Sequence, residues 1–389
     1  MTDINILFFE LIRVVIGNQV CLSHTPSADE WGELYAMAKK QSLVGVCFAG
    51  VQKLQAQEQC PPEMLYLQWM GMAAKIQQRN EVVNKQCREL LQRLADYRIR
   101  GCVLKGQGVA ALYKLSPSSG SVKGSSELRD LSLLRQSGDI DIWIEGGLDK
   151  VLDWAKTQGE VSGLNDHHFE LNIFSDTAVE VHYTPGTLLN WTKNKKYKKW
   201  LDDNEKAQFE HVVKLDNECE IGVPTDAFNL VYMMVHMHRH LFSQGLGLRQ
   251  VMDYYFVMKH CLVDNKDCVG SENIRQNTRL VVEQLGLDRF AAGLMWVMGQ
   301  VLGMGMIRVP WCPNEMVGKF LLDEIMRGGN FGHHDEMYSL TDGASHDRRL
   351  MEKAVYDMRF WRLFPKECFW STIDYAGSFF MRYKQGKLK

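Results

Sequence analysis

The chain has 389 residues, more than one average domain, and its 46% hydrophobic and 24% charged residues are an ordinary globular mix with ample material for a core. Lys+Arg 45 against Asp+Glu 47 gives a formal net charge of -2, so no global basic field is available to hold a long nucleic acid. The 10 cysteines are scattered without a Cys-x-x-Cys pair, which excludes a zinc ribbon or thioredoxin-like motif and predicts reduced thiols in a cytoplasmic setting.

Met1 to Gly17 is apolar, but Asp3, Glu10 and Arg13 interrupt it, so it does not read as a signal peptide. No run of about twenty apolar residues follows, and neither a transmembrane helix nor a membrane partner is expected. The first hundred residues read as helices. Ser27 with Glu30 three places on predicts a capping box opening a helix through Lys40. Pro61-Pro62 starts a helical pattern to about Tyr97, with Leu65, Trp69, Met72, Ala73 and Ile76 at three- and four-residue spacing, a core stripe.

The pattern changes at Arg98. Gly101 to Lys105 predicts a short buried strand, Gly106 a turn and Gln107 to Leu115 a helix. Ser116 to about Leu134 is a serine-rich polar loop by composition. Ile140 to Ile144 alternates as a strand, and Leu148 to Gln158 reads as a helix. Phe169 to Phe174 and Ala178 to Tyr183 read as a hairpin joined at Ser175-Asp176. Lys193 to Lys199 is a basic run, read as a solvated surface with phosphate or acidic-partner contact as the alternative. Cys219 to Val223 is a further strand candidate. Helices then fit Thr225 to Leu241, Leu248 to Cys261, Asn273 to Leu285, Ala291 to Leu302, Pro313 to Met326, His346 to Leu363 and Ser371 to Lys384.

The chemistry concentrates in Arg135-Gln-Ser-Gly-Asp139-Ile-Asp141. On a strand, residues i and i+2 share a face, so Asp139 and Asp141 point together while Ile140 and Ile142 point into the core. Ser137 and Gly138 predict a tight turn onto that strand. Glu180 and His182 share the polar face of a second alternating strand, with Val179 and Val181 inward. Should the two strands be neighbours, three carboxylates converge, which suits hard cations that bridge substrate phosphates. Upstream, a glycine turn at Lys105-Gly106-Gln-Gly108 lets backbone N–H groups approach phosphate oxygens, and Lys105 and Arg135 can neutralise a triphosphate. A Walker A motif is absent. His236 and His240 have the i, i+4 spacing of zinc ligands without the Glu of a metalloprotease motif. The expected role of His236, His238 and His240 is therefore hydrogen bonding across a helical interface, with Asp253 as a partner, and Arg249 is a further candidate at the phosphate site.

In order along the chain, Lys105-Gly106, Ala110 to Tyr113, Arg135 with Ser137-Gly-Asp139-Ile-Asp141, Val179 to His182, His236 to His240, Gly247-Leu-Arg249 and Asp253 resemble the uncharacterised nucleotidyltransferase family of the DNA polymerase beta-like superfamily. The resemblance covers roughly residues 30 to 280. It departs from the wider superfamily in carrying Lys-Gly where Gly-Ser is usual, and in a longer serine-rich loop. It implies an α+β fold with a small mixed β-sheet core. With the change of pattern along the chain, this divides it into an N-terminal helical region at 1–98, a nucleotidyltransferase core at 99–224 and a C-terminal helical region at 225–389. It implies Mg²⁺ (or Mn²⁺) held by Asp139, Asp141 and Glu180, with a nucleotide or phosphate role for Lys105, Gly106, Arg135, Ser137, Gly138 and His182. The expected reaction transfers a nucleoside monophosphate from an NTP to a hydroxyl of a small molecule or protein. The competing readings are a catalytically inactive nucleotide-binding or interaction protein with the same fold, and a metal-dependent hydrolase using the same acids.

Overall fold

The computed structural model describes residues 2–115, 130–215, 220–264, 268–304, 310–332, 334 and 346–384. Most of the expected serine-rich loop and Cys219, the start of one expected strand, lie outside them. Four helices open the chain: α1 (Asp3–Ile16), α2 (Ala28–Lys40), α3 (Val44–Leu54) and α4 (Glu63–Asp96). The capping box is formed: the Glu30 N–H donates to Ser27 Oγ at 3.3 Å, and the Ser27 N–H to the Glu30 carboxylate at 2.8 Å. Along the 34 residues of α4 the buried stripe changes partner. Trp69, Ala73 and Ile76 belong to one apolar core, while Val83, Cys87, Leu90 and Leu94 belong to a second.

The central sheet comprises β1 (Gly101–Val103), β2 (Ile140–Ile144), β3 (Glu160–Ser162), β4 (His168–Asn172) and β5 (Val179–His182) in the order β1-β2-β5-β4-β3. β2 and β5 run parallel and the other pairings are antiparallel. A parallel pair needs a crossover, and the helix α6 (Gly147–Gln158) lies within it. The two faces of β2 have different duties. Ile140, Ile142 and Ile144 pack with Val179 and Val181 of β5, Val151 and Trp154 of α6, and the later half of α4. On the other face Trp143 stacks on Phe228, with ring centroids 5.9 Å apart, and Asp141 is its neighbour at i−2.

Beyond the sheet come α7 (Trp191–Glu210), the ribbon of β6 (Val212–Lys214) and β7 (Glu220–Gly222), α8 (Asp226–Ser243) and α9 (Leu248–Lys259). α10 (Cys268–Leu285), α11 (Asp288–Leu302), α12 (Glu315–Gly328), α13 (His346–Phe360) and α14 (Pro365–Lys384) complete the chain. The fold is α+β, a mixed five-stranded sheet among the described residues with helices before and after it. The basic run lies on α7, where Tyr197 is fully buried between exposed lysines.

The short helix α5 (Gln107–Ala110) stops well before Leu115, the expected end. Tyr113 instead turns its hydroxyl to Asp253, and Lys114 bridges to Asp130. Two glycines bracket the start of α5. Gly106 has φ +57° and ψ -110°, a conformation that L side chains avoid. At Gly108 a Cβ would sit 2.2 Å from the Val103 carbonyl oxygen. Gly108→Ala should therefore lower unfolding free energy by about 1–3 kcal/mol in urea denaturation. Gly138→Ala is the control: its Cβ meets nothing within 4 Å, so it should be near neutral. Equal losses for the two would refute the close approach.

Candidate functional site

The parallel register of β2 and β5 sets Asp141 beside Glu180 and Trp143 beside His182. One donor atom from each of Asp141, Glu180 and His182 lies within 4.8 Å of the other two. His182 Nε2 is 3.0 Å from Asp141 Oδ1 and 3.7 Å from Glu180 Oε2. Asp141 and His182 are buried, and Glu180 is half-buried. Asp139, one residue before β2, sits exposed on the rim of the same cavity. The tight cluster is thus two carboxylates and an imidazole, with the third expected carboxylate on the wall.

Lys105 follows β1 and reaches this cluster. Its Nζ lies 2.8 Å from Asp141 Oδ1 and 3.3 Å from His236 Nε2. Burial works against the Lys105 charge, but Asp141, Asp139 and Glu180 outweigh it and raise its pKa. Burial alone would raise the Asp141 carboxyl too; Lys105 and His182 overcome it and hold the carboxyl below the usual carboxylate range. Asp139 moves the other way. The adjacent Asp141 charge, then loss of water, pushes it up to about 6. His236 is held well below its ordinary value by burial and then by Lys105, so its ring is neutral.

The segment leading to Asp139 is fixed from two sides. Arg135 donates to Asp253 through Nε and Nη2, both at 2.7 Å, and the Tyr113 hydroxyl donates to Asp253 Oδ1 at 2.6 Å. Asp253 therefore serves Arg135 and Tyr113, not the histidines it was expected to partner. Asn80 of α4 donates to the Leu133 and Arg135 carbonyls, both at 2.7 Å, and accepts from Gln107 at 3.0 Å. One buried amide thus ties the approach to β2 to the turn that carries Lys105. Residues 136–139 form no turn or bend, so the tight turn expected at Ser137 and Gly138 is absent. Ser137 Oγ is buried without a hydrogen-bond partner. Gly106 places its backbone near Asp139, whose carbonyl oxygen lies 3.7 Å from where a Cβ would stand.

These groups open onto a cavity of about 500 Å³ whose walls include Lys105, Arg135, Asp139, Glu180, His236 and Arg249. Arg249 donates to the Gln136 carbonyl at 3.1 Å. His236 and His240 face the cavity, their rings edge-on at 4.2 Å, while His238 turns away to Phe242 and Phe290. Neither His236 nor His240 joins a metal-sized cluster among the described residues. Residues not anticipated from the sequence are Asn80, Gln107, Asp166, His167, His168 and Arg239. The available signals were two asparagines, Asn80 and Asn84, one turn apart on a buried helix face, and a His-His pair at the start of a strand.

A family model described as an uncharacterised nucleotidyltransferase matches residues 27–117 and 126–303, well over half of the chain. The matched stretches contain Lys105, Arg135, Asp139, Asp141, Glu180 and the histidines of α8. A search of curated proteins found no match. Among the described residues, no helix is long and apolar enough to cross a membrane. The length of the match, running through both strands that carry the acids and both helices that wall the cavity, places the chain in the uncharacterised nucleotidyltransferase family.

Proposed function

We propose that the protein is a divalent-metal-dependent enzyme that moves a nucleoside monophosphate from an NTP to a hydroxyl of a small molecule or protein. The observation that carries this reading is the in-register pairing of Asp141 and Glu180 on parallel strands, beside a cavity that also holds Asp139 and Lys105. Three carboxylates offer hard oxygen donors that fit Mg²⁺ or Mn²⁺. Such ions would supply positive charge to offset the charge that develops on the phosphates during transfer. Asp141 and Glu180 would hold them with Asp139 closing from the rim, and His182 would orient Asp141. Lys105 would turn from Asp141 to the phosphates, and Gly106 and Gly138, which line the cavity, would offer backbone to them. Arg135, fixed on Asp253, would act by positioning the 136–139 segment. The near-neutral net charge favours a compact acceptor over a long nucleic acid.

Calorimetric titration of a nonhydrolysable NTP, with and without Mg²⁺, tests the reading. Binding should require the ion, and product analysis with a hydrolysable NTP should show the nucleotidyl group on an organic hydroxyl. A chain that binds no nucleotide under either condition would sink it. A second reading, nucleotide binding without turnover, is favoured by the fact that Asp141 Oδ1 is already engaged by Lys105 and His182. Binding without any transferred product would select it.

Lys105 gives a sharper test. Lys105→Met should weaken triphosphate binding by about tenfold or more, the worth of one contact to a charged group, and leave the free nucleoside almost unaffected. Equal losses for both ligands would assign Lys105 to the ion pair alone.

A further inference from the structure

Beside the acid pair lies a second donor set of different chemistry. His167 and His168 stand at the start of β4, and β4 pairs with β5 so that His168 is opposite His182. One ring nitrogen from each of His167, His168 and His182 lies within 4.8 Å of the other two. All three line the cavity. We propose that His167, His168 and His182 form a binding site for a zinc-class transition metal ion, distinct from the hard-cation role of the carboxylates.

Three features support it beyond proximity. First, His167 Nδ1 lies 2.7 Å from Asp166 Oδ1, and Asp166 is itself held by the Thr187 hydroxyl at 2.6 Å and by Arg239 at 3.3 Å. A carboxylate on one ring nitrogen fixes the tautomer that leaves the other, Nε2, with its lone pair. That is the outer-shell arrangement typical of metal-bound histidine. Second, the ring of His182 is 2% exposed; Nε2 faces Asp141, and Nδ1 is buried with no hydrogen-bond partner. An unmet buried polar atom is costly. Third, His168 Nδ1 and His167 Nε2 stand 2.9 Å apart, sharing one proton between two imidazoles. A metal ion at His168 Nδ1 would take the place of that proton, which would move to the ring's Nε2, 3.8 Å from the Glu180 carboxylate, so the ring stays neutral.

Imidazole nitrogen selects zinc, copper or nickel over magnesium, whereas carboxylate oxygen selects magnesium or manganese. His182 belongs to both groups, so the two sites share a wall. Three protein donors beside an open cavity match the ligand count of a catalytic zinc site, not a closed structural one.

The experiment uses the full chain, stripped with a chelator, equilibrated with ZnCl₂ in the presence of a large excess of MgCl₂, then desalted for zinc analysis. The wild type should retain one zinc per chain, and Co²⁺ in its place should give the visible bands of tetrahedral nitrogen ligation. His167→Ala and His168→Asn should each weaken zinc binding by at least about tenfold, with circular dichroism confirming the fold. Should His167→Ala fail to fold, the half-buried His168→Asn decides alone. Asp139→Asn, which lies outside the triad, should keep its zinc. Displacement of the zinc by Mg²⁺, or retention of wild-type affinity in a folded histidine variant, overturns the proposal. Zinc retention is read without nucleotide, so a failure of the nucleotidyl-transfer reading leaves this result standing.

Discussion

Asp141→Asn should reduce Mg²⁺-dependent nucleotide binding or turnover by at least about 100-fold, while the protein still folds. Loss of an outer-shell partner of a metal ligand typically costs 10–100-fold, and loss of a ligand should cost no less. The amide is nearly isosteric, so its oxygen can still accept from His182 and Lys105, and Lys105 keeps the charges of Asp139 and Glu180 nearby. The measurement is calorimetry with a nonhydrolysable NTP, backed by melting curves. A ligand at 100 times its Kd stabilises a protein by about 2.7 kcal/mol. Wild type should show that rise only with Mg²⁺ and nucleotide together, and the variant should not. The same rise in both proteins would remove Asp141 from the metal-binding set.

The largest loss of stability is expected at Asp253. Its carboxylate accepts two bonds from Arg135 and one from the Tyr113 hydroxyl, and the side chains of Arg135 and Asp253 are 5% and 6% exposed. Asp253→Ala leaves a guanidinium buried beside a cavity with its main counter-charge gone. Breaking one partner of a buried pair costs about 3–5 kcal/mol. By contrast Glu89→Ala removes an exposed i, i+4 pair with Arg93 on α4 and should cost about 0.5 kcal/mol or less. Urea unfolding of both variants checks the contrast; a loss below about 1 kcal/mol for Asp253→Ala would mean that water reaches Arg135 and screens it.

What the sequence revealed followed local periodicity. β2 and β5 were legible because β-branched residues recur at every second position, Ile140, Ile142 and Ile144 in one and Val179 and Val181 in the other. The helices around the cavity were legible from caps and apolar spacing. The same logic hid α7, whose buried face is only Tyr197, Leu201, Gln208 and Phe209 among many lysines. β3 and β6 have three residues each, none of them buried, and so carry no core signal. The early end of α5 depends on Tyr113 reaching a residue 140 positions away, which spacing cannot reveal. Local reading also placed Asp139 and Asp141 as equals. The structure separates them, because Asp141 lies inside the ladder beside Glu180 and Asp139 lies before it. The pairing of Lys105 with Asp141 follows from that separation. The His167–His168–His182 group escaped notice because His167 and His168 precede the strand as read from Phe169, and the register that sets His168 opposite His182 was not inferred.

Helix α4 has a mechanical meaning of its own. At about 1.5 Å per residue, its 34 residues make a rod of about 51 Å. One end is clamped among Trp69, Ala73 and Ile76, the other among Val83, Cys87, Leu90 and Leu94, and Asn80 grips the cavity wall between the two clamps. Asn80 thus sits between two packing regions on one continuous helix. What it holds, the Leu133 and Arg135 carbonyls and the Gln107 amide, leads on to Asp139 and borders the turn of Lys105. A single rigid element therefore joins both cores to the backbone that supports the acids.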